Sequence, residues 1–139
     1  MPEVPQLPHT QISTMAIQPE IVEFISCEHG DDLIVSFAIR DEPLNSIVSL
    51  TLVRTPKYEP LLPPEDRGVS ASHENNLGAD DDDRLESLHW EGAEVRIETR
   101  DGHRYRLDAS AVPPEDKRTA VKVLRAMHFD HAFRLRVEH

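Results

Sequence analysis

Apolar residues in this 139-residue chain recur mainly at every second position, the spacing of strands rather than helices. Residues 20–27, EIVEFISC, are apolar on both parities, with Val22 and Phe24 on one and Ile21, Ile25 and Cys27 on the other. A strand apolar on both faces is central or covered. After the turn signal EHGDD, where Gly30 is free to take a positive φ, residues 33–40 alternate Leu33, Val35, Phe37 and Ile39 with Ile34, Ser36 and Ala38. Residues 41–46 turn the chain again. In 47–54, Val48, Leu50 and Leu52 then face away from Ser49 and Thr51. These three runs predict an antiparallel meander.

Pro56 ends the meander, and residues 57–83 carry no strand or helix period. Regularity returns at 84–90, RLESLHW. Asp83 and Glu86 have the spacing of a capping box, but Leu88 and Trp90 lie two apart and Gly92 soon follows, so a strand is expected. In 94–108, EVRIETRDGHRYRLD, a two-residue Asp-Gly turn would set Ile97 opposite Arg106. A three-residue loop, Arg100-Asp101-Gly102, instead pairs Val95 with Leu107, Ile97 with Tyr105 and Glu98 with Arg104. The apolar pattern fixes this register, with Gly102 in a left-handed bulge position.

One helix is expected, at 114–128. Pro114 suits its first turn, Glu115 and Asp116 its positive end, and Arg125 and His128 its negative end. Ala120, Val121, Leu124, Met127 and His128 form its apolar stripe. In 133–137, Phe133, Leu135 and Val137 alternate with Arg134 and Arg136, which predicts a last strand. LPPEDRGVSA (62–71) echoes VPPEDKRTAV (112–121); Pro-Pro-Glu-Asp is read as a way of leaving a strand.

The expected fold is α+β and mainly antiparallel. Six to seven strands form a sheet or partly open barrel, with one helix of the C-terminal half packed on it. Residues 1–18, polar and rich in proline, are expected to be a disordered tail. Residues 19–139 then form a single domain with an irregular acidic loop at about 57–83.

Composition adds three points. Apolar content of 38% and aromatic content of 5% are lean, so part of the chain is expected outside the core. Cys27 is the sole cysteine, so no internal disulfide forms, and a reducing, cytoplasmic location is expected. The start of the chain has no signal-peptide pattern, and the apolar window 33–39 is too short to cross a bilayer. The formal charge is −11, which disfavours direct nucleic-acid binding. It is uneven: residues 96–139 hold ten basic and seven acidic residues (+3), and residues 1–95 hold five and nineteen (−14).

Candidate chemistry is sparse. Asp80 to Asp83 are contiguous, unlike the alternating ligands of a calcium loop, and read as a solvated linker or as a strip that folds back over the basic half. His128, Asp130 and His131 are metal-ligand types, although their spacing departs from the helical paired-histidine signature. Cys27 lies two residues from His29, but continues an apolar set and reads as a structural thiol. No phosphate loop or nucleophile elbow is present, and no cofactor is implied. The arginines remain. If the last strand lies beside the hairpin, Arg96, Arg104, Arg106, Arg134 and Arg136 share one outward face with Glu98. No aromatic residue interleaves them, so single-stranded nucleic acid is not the expected ligand.

The leading functional expectation is therefore a non-enzymatic module of protein-binding or regulatory type. One alternative is an acidic mimic of nucleic acid that inhibits a DNA-binding protein. A second is a metal-dependent hydrolase using His128, Asp130 and His131.

Overall fold

A computed structural model describes residues 19–41, 46–74 and 83–138. The tail expected at 1–18 and the first three aspartates of the run lie outside the described residues. Eight strands form one mixed sheet: β1 (Glu20–His29), β2 (Leu33–Asp41), β3 (Ser46–Arg54), β4 (Ser70–His73), β5 (Leu85–Glu91), β6 (Glu94–Thr99), β7 (Arg104–Asp108) and β8 (Arg134–Glu138). Their order is β4-β3-β2-β1-β7-β6-β5-β8, and helix α1 (Pro114–Met127) packs on the sheet.

The expected meander is β1-β2-β3, and the run expected as a strand at 84–90 forms β5 (Leu85–Glu91). The hairpin keeps its predicted register, pairing Val95 with Leu107, Ile97 with Tyr105 and Glu98 with Arg104. Thr99 N–H donates to the His103 carbonyl at 2.9 Å, closing the longer loop, and Gly102 takes φ +91°. Gly30 is not among the described positive-φ residues, so its turn uses no left-handed glycine. Gly102→Ala should therefore lower stability by about 1–2 kcal/mol. Gly30→Ala should be neutral or gain up to about 1 kcal/mol from a less flexible unfolded chain. Urea unfolding of both variants checks this, and equal midpoints would contradict it.

Three features depart from expectation. Two strand contacts are parallel: β1 with β7, and β5 with β8. The loop region is only partly irregular, holding 3-10 turns at Pro56–Leu61 and Pro64–Asp66 and the short strand β4. With β4 the strand count among the described residues reaches eight. β4 was hidden because SASH has no large apolar residue; its pairing with β3 defines it. Both Pro-Pro-Glu-Asp stretches start a helical turn in the same way. Asp66 N–H reaches the Pro63 carbonyl at 2.9 Å, and Asp116 N–H reaches the Pro113 carbonyl at 3.0 Å. Only the second continues, because only it is followed by an apolar stripe.

The sheet is not closed. A bridge between Ser70 and Arg84 ties the β4 edge back to the start of β5. Across the interior, Phe37 meets Trp90 at 6.1 Å between ring centroids. Ala120, Val121, Val123, Leu124 and Met127 bury one side of α1 against β1 and β2. Each Val, Leu or Met buried in this way contributes about 1.5–3 kcal/mol. Among the described residues, no helix is long and apolar enough to cross a membrane.

Candidate functional site

The outward face of β8, β5, β6 and β7 is built from three cross-strand rows. Strand pairing aligns Arg136, His89, Arg96 and Arg106 in the middle row. Two residues along each strand, Glu138, Glu91, Glu94 and Asp108 form an acidic row. Two residues the other way lie Arg134, Ser87, Glu98 and Arg104. Successive residues of a strand point to opposite faces, so all twelve share one face, and Val95, Ile97 and Leu107 are buried on the other.

All five arginines expected here thus lie on one surface, and all five are exposed. The last strand reaches that surface by a different route, pairing with β5 rather than with the hairpin itself. Sequence reasoning had placed Glu98 among the arginines but missed the acidic row. That row takes one residue from an end of each of four strands, and only the assembled register joins them.

The carboxylates compensate the arginines. Arg104 pairs with Glu98 at 2.8 Å and Arg136 with Glu138 at 3.2 Å. Arg96 lies 3.6 Å from Glu91 and 4.0 Å from Glu94, and Arg106 also pairs with Glu94. Arg134 reaches Glu86 at 3.8 Å. Exposed pairs of this kind are worth about 0–1 kcal/mol each, so the lattice sets surface pattern more than stability.

His89 sits at its centre. Arg96 donates to Nδ1 at 2.9 Å, and Nε2 lies 2.7 Å from Glu138. Guanidinium has no acceptor, so Nδ1 must accept, and Nε2 carries the proton it donates to Glu138. This hydrogen bond is the main reason why the Glu138 carboxyl lies below its usual range, with Arg136, His89 and Arg96 adding to it. His89, Glu91 and Glu138 place their donor atoms within 4.8 Å of one another, a spacing that suits a metal ion. A metal on Nε2 would need the lone pair of a nitrogen that is protonated here. Arg96 and Arg136 already supply positive charge to both carboxylates. The geometry is an ion-pair lattice.

The expected metal trio is arranged otherwise. Asp130 gives both oxygens to Arg54, at 2.8 and 2.7 Å. Arg54 is 1% exposed, also grips Glu59 at 2.7 and 2.8 Å, and donates to the Met127 carbonyl at 2.6 Å. Phe129 stacks on the same guanidinium at 4.2 Å. Burial opposes the Arg54 charge, but hydrogen bonds and charges from Glu59 and Asp130 outweigh it and raise the pKa. The Arg54 hydrogen bond in turn holds the Asp130 carboxyl below its usual value. His128 and His131 lie together, ring centroids 4.5 Å apart, and His128 meets Phe133 edge-on at 5.1 Å. Asp130 is thus a clamp for the end of β3, while His128, expected in the last turn of the helix, lies just past it as its C-cap.

Asp83 is also no linker residue. It is 4% exposed and binds the β6–β7 turn, accepting from Arg84 N–H at 2.9 Å and Asp101 N–H at 3.1 Å, with His103 Nδ1 at 2.9 Å. Of the aspartate run only Asp83 is described, and it is tied to the β6–β7 turn and not to the outward arginines. Cys27 is half-buried on β1, and burial, helped by Asp116, pushes its thiol pKa up. A raised thiol pKa opposes the thiolate that a nucleophile needs.

No family model matches this chain, and no curated protein or solved structure matches it either.

Proposed function

We propose that this chain is a non-catalytic binding module that docks another protein on the striped outer face of β8, β5, β6 and β7. The observation that carries this reading is the pattern of that face. Five arginines and five acidic residues lie in adjoining rows, with His89 and Ser87 between them. The formal charges cancel with His89 neutral, so a polyanion gains no net attraction there. A protein surface bearing opposite stripes gains complementarity at every row and a fixed register.

The two alternatives have less support. An acidic mimic needs its aspartates presented to solvent, and Asp83 is buried in the hairpin turn. A hydrolase on His128, Asp130 and His131 needs an open carboxylate, and Arg54 holds both oxygens of Asp130.

The test is affinity capture with the immobilised chain and with Arg96→Glu/Arg106→Glu, folding of each being checked by circular dichroism. A specific protein should be recovered at low salt, weakened at high salt, and lost by the variant. Recovery that is indifferent to the variant, or no recovered protein, overturns the reading.

A further inference from the structure

The opposite side of the sheet presents a second recognition feature, and it rests on different residues. Between α1 and the β5–β6 end of the sheet lies a groove of about 760 Å³. That volume falls within the range of small-molecule sites, about 300–1,000 Å³. Its walls include Trp90, Ala109, Val112 and Val121, and its rim carries Lys117, Arg118, Lys122 and Arg125.

Two observations single it out. First, Trp90 is 0% exposed, and its indole N–H has no hydrogen-bond partner among the described residues. Buried donors are almost always paired, so an unpaired donor on a residue that lines the groove is a feature a ligand could satisfy. Second, none of the four rim cations forms an ion pair with a described residue, although the chain carries −11. Every arginine on the striped face has a carboxylate. On α1, by contrast, Arg118 and Lys122 are four residues apart and Lys122 and Arg125 three apart, where like charges repel. Lys117 Nζ lies 5.5 Å above the Trp90 ring and donates to the Gly92 carbonyl at 3.1 Å, so it covers the indole from the groove side.

We infer that this groove binds a small amphipathic anion, with an apolar body and a carboxylate or phosphate head. The body lies along Val112 and Val121 and reaches the indole once Lys117 swings aside. The head sits among Lys117, Arg118, Lys122 and Arg125, whose mutual repulsion it relieves. The indole N–H gains an acceptor.

Trp90 is the sole tryptophan, so its fluorescence and its single indole NMR signal report on this site alone. The full chain would be titrated with decanoate, decyl phosphate and decanol, each below its micelle concentration, and with inorganic phosphate. Saturable binding of decanoate or decyl phosphate is expected, at least tenfold tighter than decanol, with a downfield indole N–H shift. The two anions distinguish a carboxylate from a phosphate head. Arg118→Gln/Lys122→Gln, at exposed positions, should weaken the anions about tenfold and leave decanol unchanged. Silence from both anions overturns the inference. So does equal affinity for decanol, tight binding of inorganic phosphate alone, or anion binding that ignores the double variant.

Discussion

Replacing Arg54 by methionine should destabilise the fold by about 3–5 kcal/mol, the loss expected when one partner leaves a buried ion pair. Against a total stability of about 5–15 kcal/mol, this is the largest single-residue effect expected here. The reason is what remains behind. Glu59 is 8% exposed, and without the guanidinium its carboxylate has no charge partner among the described residues. The Met127 carbonyl at the end of α1 loses its donor as well. Asp130 suffers less, since its side chain is 45% exposed and can turn to water. Asp130→Asn should therefore cost well under half as much. Urea unfolding at neutral pH reads both. Arg54→Met/Glu59→Met should recover much of the loss, because removing both charges leaves no buried unpaired carboxylate. A single variant that unfolds with the wild-type midpoint, or a double variant worse than the single, would show that the cluster does not hold β3 to the helix.

Asp83→Asn should be the second-largest loss, about 2–4 kcal/mol, through the charge-assisted hydrogen bonds it weakens. Burial raises the Asp83 pKa, but bonds from Thr99, His103 and the amides of Asp101 and Arg84 outweigh it and hold it below the usual value. A depressed carboxyl contributes stability above its unfolded pKa, about 3.9, and loses it as pH falls through the folded pKa. The gap between wild type and Asp83→Asn should thus be widest at neutral pH and narrow progressively below about pH 4. Urea midpoints measured from neutral to strongly acidic pH test this. A gap independent of pH would assign the effect to packing and not to the carboxylate.

These two residues mark where local reading ended. Arg54 shares the parity of Val48, Leu50 and Leu52, so the alternation turns it to the buried face, but nothing nearby in sequence reveals that Asp130, 76 residues on, will clamp it there. Asp83 looked like the last of four solvated aspartates. Its burial depends on the 99–103 turn coming to it, a contact between segments that no local pattern encodes. The five arginines were legible because period-two alternation assigns a face to each strand. The acidic row as a whole was not, because joining Glu91 and Glu138 to Glu94 and Asp108 takes the pairing of β5 with β6 and its parallel pairing with β8.

The sequence by itself determined the strand periods, the hairpin loop with Gly102, the single helix stripe and the face on which each arginine points. Those follow from backbone geometry acting over a few residues, where steric and apolar patterning decide. Only the tertiary structure decided strand order, the parallel contacts, the compensation of the arginines and the fate of Arg54, Asp83 and Asp130. Such outcomes depend on which distant groups share a desolvated space, and there an unpaired charge costs more than any local preference provides.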